Sequence, residues 1–173
     1  MNALAGPVVV VAALLVLAGG LKLVRPAPTA GALRAMRLPA ALPLVRALGL
    51  GEIALGVAAG ITFARPLLVL LAAAYLAFAA FVAAALGAKT PLQSCGCFGQ
   101  ADTPPSAVHV ALNLAAAGTA FAAAFTETPS LDVTLADQPW GAVPFVLLVG
   151  ICVWLCVLIA TVLPLTLGSG ERG

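Results

Sequence analysis

Two cysteines separated by a single glycine, Cys95-Gly96-Cys97, are the residues of this chain most suited to chemistry. Residues two apart can bring their Cα atoms within the roughly 4.4 to 6.8 Å that a disulfide needs, although so small a ring is strained. Gly96 eases the strain because glycine reaches backbone angles closed to other residues. Strained disulfides are the labile, catalytic ones, so Cys95 and Cys97 are candidate catalytic residues for passing or isomerising disulfides. Two ordinary loop cysteines, or half of a metal site, are the alternatives.

A second pair, Cys152 and Cys156, stands four residues apart, on one face of a predicted helix. In a membrane helix, cysteine usually serves as a small apolar residue. The alternative is a second dithiol that exchanges electrons with Cys95 and Cys97. Cys156 would lie about 14 Å below the membrane surface at 1.5 Å per residue, so the loop would have to fold inward to reach it.

Four polar residues could support the first cysteine pair. His109 and Asn113 share a helical face, and a histidine near a thiol can favour the thiolate; packing at an interface is the alternative role. Glu52 lies inside an apolar segment, where an ionisable group is costly and needs a partner, and Lys22 is the first candidate. A structural ion pair and a proton relay are both open for Glu52.

The composition defines what surrounds these residues. Of 173 residues, 63% are hydrophobic and only 8% are charged, which is far from the range of soluble proteins and requires lipid as a solvent. A net charge of +2, with no basic stripe interleaved with aromatic residues, excludes nucleic acid as an expected partner. We assign no metal ligand and see no cofactor motif. A quinone is the cofactor that would be compatible with a redox role.

Five apolar runs are long enough to cross about 30 Å of hydrocarbon, which takes roughly 20 helical residues. They predict an all-α, polytopic membrane helix bundle with its termini on opposite sides of the membrane, as a single domain over residues 1–173. The runs cover residues 7–24, 42–63, 66–86, 107–125 and 142–165.

The span count places the first and third loops on the same side of the membrane. Lys22, Glu52, His109 and the cysteine loop should therefore converge on one end of the bundle. The first loop is rich in basic residues, which favours a cytoplasmic face for both loops. Thiols are normally kept reduced in that compartment.

Several stretches resemble the methylamine-utilisation MauE family, within the wider MauE/DoxX group of membrane proteins. The most specific is Gln93-Ser94-Cys95-Gly96-Cys97-Phe98-Gly99, followed by Thr103-Pro104 and a helix bearing His109 and Asn113. Weaker matches are Gly20-Leu21-Lys22-Leu23 and Gly51-Glu52-Ile53-Ala54-Leu55-Gly56. The resemblance covers about residues 1–125 as a four-helix unit, with the fifth span beyond it.

The resemblance implies a redox-associated, multi-pass protein of the bacterial plasma membrane. Such a protein works with an extracytoplasmic thioredoxin-like partner, in the founding case during maturation of a dehydrogenase subunit with many disulfides. That location disagrees with the distribution of basic residues. Two hypotheses follow: a thiol-disulfide component that moves electrons between such a partner and either quinone or the second dithiol, and a noncatalytic scaffold. In the scaffold the cysteine loop would be structural or would hold a metal through a set such as Cys95, Cys97 and His109.

Overall fold

The computed structural model describes residues 3–88 and 105–170, and in this part of the chain it contains helices and no strand. Five of these helices, α1, α3, α4, α5 and α7, are long and apolar enough to span a membrane, which confirms the predicted polytopic bundle. The helices are α1 (Ala5–Val24), α2 (Pro26–Ala35), α3 (Leu42–Thr62), α4 (Arg65–Gly87), α5 (Ala107–Ala124), α6 (Leu131–Ala136) and α7 (Val143–Gly170), with a 3₁₀ turn (Pro139–Ala142) before α7.

Proline and one left-handed residue set several helix boundaries. Pro26, Pro43 and Pro66 lie in the first turns of α2, α3 and α4, where the missing N–H of proline costs no intrahelical hydrogen bond. Phe63 ends α3 with φ near 50°, a conformation that costs about 1 to 2 kcal/mol. Its side chain is buried in the core, and its packing contacts there help to offset that cost. The chain can thus turn from α3 into α4 within two residues, Phe63 and Ala64.

The bundle is organised around two closely packed helix pairs, α1 with α3 and α4 with α5. Helix α1 also contacts α5 and α7, so it lies at the centre of the bundle. Alanines of α5 form much of the core beside a few larger side chains such as Leu15 and Leu71. Small residues allow helices to approach closely in lipid, where packing rather than hydrophobicity drives association.

Glycines bring α1 and α3 into backbone contact. A Cβ atom on Gly19 would lie 2.5 Å from the carbonyl oxygen of Gly49, and one on Gly49 would lie 2.7 Å from the carbonyl oxygen of Gly19. Further along the same interface, a Cβ on Gly56 would lie 2.8 Å from the carbonyl oxygen of Ala12. These positions leave no room for a side chain, and they hold the two helices close enough for short side-chain contacts between them.

Replacing Gly49 by alanine should destabilise the bundle by about 1 to 3 kcal/mol, the usual cost of overpacking a dense interface. The new methyl group meets backbone, which cannot rotate away. Gly51→Ala is the matched control, because a Cβ there meets nothing within 4 Å. Thermal unfolding in detergent, followed by circular dichroism, measures both variants. Equal stability of the two would contradict this account of the α1/α3 interface.

Helix α7 lies at the periphery of the bundle. Only 6% of its apolar segment is buried, against 44% of the corresponding segment of α1. It begins at the same end of the bundle as α1, since a Cβ on Gly6 would lie 3.7 Å from Cε2 of Phe145. Consecutive spans cross the membrane in opposite directions, so α5 runs antiparallel to α1 and α7. The beginning of α5 therefore lies at the far end from Gly6 and Phe145.

Candidate functional site

The first cysteine pair lies in residues 89–104, outside the described residues. The helices on either side of this segment are described: α4 ends at Gly87 and α5 begins at Ala107. Because α4 and α5 pack against each other and run in opposite directions, these two helix ends lie at one end of the bundle. The segment that contains Cys95 and Cys97 connects them.

His109 is the titratable residue closest in sequence to that segment on the α5 side. It lies in the first turn of α5 and is 2% exposed. Its Nδ1 is 2.9 Å from the Ser106 hydroxyl oxygen, which fixes the ring relative to the helix start. One turn on, the side-chain amide of Asn113 donates a hydrogen bond of 2.7 Å to the His109 carbonyl. The start of α5 thus presents an imidazole held by Ser106, the residue that precedes the helix.

Lys22 and Glu52 form a buried ion pair across the α1/α3 interface. Lys22 Nζ donates to Glu52 Oε2 at 2.8 Å, and both side chains are about 96% buried or more. Lys22 Nζ also lies 5.3 Å from the centroid of the Phe78 ring, within the range of a cation–π interaction. Glu52 Oε1 has no hydrogen-bond partner among residues 3–88 and 105–170. The pair joins two of the predicted supporting residues; their role in any reaction stays a prediction.

This ion pair lies below the end of α4 rather than at it. Phe78 contacts Lys22, and Gly87 is nine residues further along α4, a rise of about 14 Å at 1.5 Å per residue. His109, two residues into α5, is much nearer the helix end. Of the predicted supporting residues, His109 therefore lies closest to the helix ends that the cysteine segment joins.

Cys152 and Cys156 are half-buried on α7, and neither is in a disulfide. They line a cavity of about 450 Å³ together with His109 and Asn113 of α5. A smaller cavity of about 210 Å³ beside it is lined by Lys22 and also by Asn113. The structure thus brings the second cysteine pair and two of the supporting residues to one space, which the sequence alone did not predict.

Tyr75 is a residue of this region that the sequence analysis missed. It lies in the middle of α4, is 7% exposed, and donates a hydrogen bond of 2.7 Å to the carbonyl oxygen of Val11 on α1. It lines both cavities. It is the single tyrosine of the chain and stands in an otherwise apolar span. A lone tyrosine in an apolar span could have indicated a contact between helices, since a buried phenol needs a hydrogen-bond partner.

A metal site finds no support in the described residues. Within residues 3–88 and 105–170, no three His, Cys, Asp or Glu side chains are grouped closely enough to hold an ion. The alternative ligand set of Cys95, Cys97 and His109 has two members outside that part of the chain.

The five apolar helices and the exposed apolar surface of α7 define a multi-pass helical membrane protein. The family model of the methylamine utilisation protein MauE matches residues 2–126, and the chain belongs to that family. The match includes α1 to α5 and the segment with Cys95 and Cys97, and it ends before α7. No curated protein and no solved structure matches the chain.

Proposed function

We propose that this protein is a component of a thiol-disulfide redox pathway in a bacterial plasma membrane, which exchanges disulfides with a thioredoxin-like partner through Cys95 and Cys97. The observation that carries the proposal is the Cys95-Gly96-Cys97 sequence inside the region that matches the MauE family, between the adjoining ends of α4 and α5. The family relationship supports a role in the membrane, and the reaction follows from the chemistry of the motif.

In the exchange, a thiolate of the reduced partner attacks one sulfur of the Cys95–Cys97 disulfide and forms a mixed disulfide. The partner's second thiolate then attacks that bond. The partner loses two electrons and two protons and gains a disulfide, while Cys95 and Cys97 become thiols. The reverse direction uses the same steps, and the relative reduction potentials of the two pairs decide which occurs.

Two features of the described residues support this chemistry. His109, buried at the start of α5, can accept a thiol proton at its imidazole and so favour the reactive thiolate. The helices bond their own backbone groups within the bundle, so the connecting segment can change its redox state without loss of the membrane structure. The Lys22–Glu52 pair lies deeper, and its distance from the end of α4 favours a structural role.

Single-serine variants test the exchange by trapping the mixed disulfide. We expect one of the variants Cys97→Ser and Cys95→Ser, the one that keeps the attacked cysteine, to accumulate a covalent complex in the membrane. A reducing agent should release the partner from this complex. Mass spectrometry should identify a partner peptide with a Cys-X-X-Cys sequence joined to the remaining cysteine.

The double variant Cys95→Ser, Cys97→Ser should form no such complex, whereas Cys152→Ala should not prevent it. If neither single variant traps a protein with that motif, the proposed exchange is wrong, and a noncatalytic membrane scaffold becomes the better interpretation.

A further inference from the structure

The larger cavity has the size and shape of a site for an elongated lipophilic molecule. It lies between α1, α5 and α7, with Tyr75 of α4 at its wall, and we call it the α1/α5/α7 cleft. Its volume of about 450 Å³ falls in the range of small-molecule sites, which is roughly 300 to 1,000 Å³. On α7 its lining extends from Phe145 to Cys156, a rise of about 17 Å at 1.5 Å per residue.

The two ends of the cleft differ in chemistry. Gly6 and Phe145 form one end, and both are apolar, while Thr119, the lining residue of α5 on that side, donates its hydroxyl to the carbonyl oxygen of Ala115. Because α5 runs antiparallel to α1 and α7, its first turns reach the other end, where His109 and Asn113 line the cleft. A ligand with a polar head and an apolar chain can therefore bind in one orientation, with its head beside α5's start.

Hydrogen-bonding atoms remain available at the polar end. His109 is 98% buried, and with Nδ1 against Ser106, its Nε2 has no partner among the described residues. Asn113 uses one amide N–H on the His109 carbonyl, and within the described part of the chain its other N–H and its Oδ1 are unpaired. Both residues line the cleft, so these atoms are available to a ligand that carries hydrogen-bonding groups of its own.

The lining also indicates the charge of the ligand. No lysine or arginine lines the α1/α5/α7 cleft among the described residues, and Lys22, which faces the smaller cavity, is paired with Glu52. An anionic phospholipid head would have no cation to bind. A neutral ring with carbonyl oxygens suits an imidazole and an amide, which can each donate or accept a hydrogen bond.

We propose that the α1/α5/α7 cleft binds an isoprenoid quinone, with its ring carbonyl at His109 and Asn113 and its chain directed towards Phe145. Cys152 and Cys156 line the wall near the ring. Binding does not depend on the reaction proposed for Cys95 and Cys97, and it can be tested without them.

The experiment uses the full chain in nanodiscs with Cys95→Ser and Cys97→Ser, which leaves Cys152 and Cys156 as the only thiols. Decylubiquinone is the probe, and the alkylation rate of the two thiols by a small maleimide is the readout. Saturating quinone should slow alkylation about tenfold. A second result also supports binding, namely oxidation of Cys152 and Cys156 by the quinone. The two thiols then form a disulfide and pass two electrons and two protons to the quinone. Alkylation stops, and dithiothreitol restores it.

Two variants separate binding from folding. Asn113→Leu removes a hydrogen-bonding group and should raise the Kd for decylubiquinone about tenfold, which corresponds to about 1.4 kcal/mol. Leu148→Trp fills the cleft while leaving His109 and Asn113 in place, and it should abolish protection. Leu147→Trp, at an equally exposed position of α7 that does not line the cleft, is the matched control and should change nothing.

Decanol and a phosphatidylglycerol of matched chain length decide the identity of the ligand. Equal protection by either would show that the cleft accepts any lipid chain, and it would overturn the assignment to quinone. Absence of protection by decylubiquinone in a folded protein would overturn it as well. Neither result bears on the partner-trapping experiment with Cys95 and Cys97.

Discussion

Replacing Glu52 by glutamine should lower the free energy of unfolding by about 3 to 5 kcal/mol, the usual cost of removing one member of a buried ion pair. The change leaves the Lys22 ammonium, which is 3% exposed, without its anion inside the bundle. The adjacent ring of Phe78, at 5.3 Å, can compensate only in part, since a desolvated cation–π contact contributes about 2 kcal/mol, less than the expected loss. Titration with sodium dodecyl sulfate from a mild detergent, followed by circular dichroism, measures the loss.

The double variant Lys22→Met, Glu52→Gln provides the decisive comparison. It removes both charges and should recover part of the stability, because no unpaired ion remains. Asp137→Asn, an exposed carboxylate in the connection before α7, is the matched control and should have little effect. Losses that simply add in the double variant would contradict an energetic coupling between Lys22 and Glu52.

Loss of either Cys95 or Cys97 should abolish disulfide exchange while leaving the fold intact. The helices satisfy their backbone groups independently of the connecting segment, so the serine variants should unfold at the same temperature as the parent protein. Cys152→Ala should retain exchange, since Cys152 lies on α7 beyond the region that matches the family. Reduction of a disulfide in a purified thioredoxin-like protein, or its formation, is the activity to follow.

The redox state of the pair gives an independent measurement. A ring closed by residues two apart should have a reduction potential above about −300 mV, the level below which structural disulfides typically lie. Labelling with a mass-tagged maleimide, in a series of glutathione buffers, determines the potential in a variant that lacks Cys152 and Cys156. Two results together would contradict the redox role. Cys95 and Cys97 would stay reduced in the most oxidising buffer, and the double serine variant would still support the pathway.

Much of the fold could be predicted because lipid imposes simple constraints. A chain with 63% hydrophobic residues must bury its backbone groups in helices, and the length of each apolar run then gives a span. The MauE relationship, too, was predictable from short motifs around Cys95 and Glu52, and the family match over residues 2–126 confirms it. Lys22 could be named as a candidate partner for Glu52 because few ionisable residues occur in the spans.

The sequence by itself could not determine which faces of these helices meet. A helix that is apolar all round carries almost no periodic signal, so nothing in the chain marked Gly19 and Gly49 as the point where α1 and α3 touch. That contact sets the 2.8 Å distance from Lys22 to Glu52. Packing alone also brings Tyr75, His109 and Cys156 around one cavity. These residues come from three helices far apart in the chain, and their proximity depends on side-chain volumes at every interface between them. The sequence thus indicated a lipid environment, the membrane spans and a candidate pair of reactive cysteines, whereas the tertiary structure decided which polar groups share a buried space.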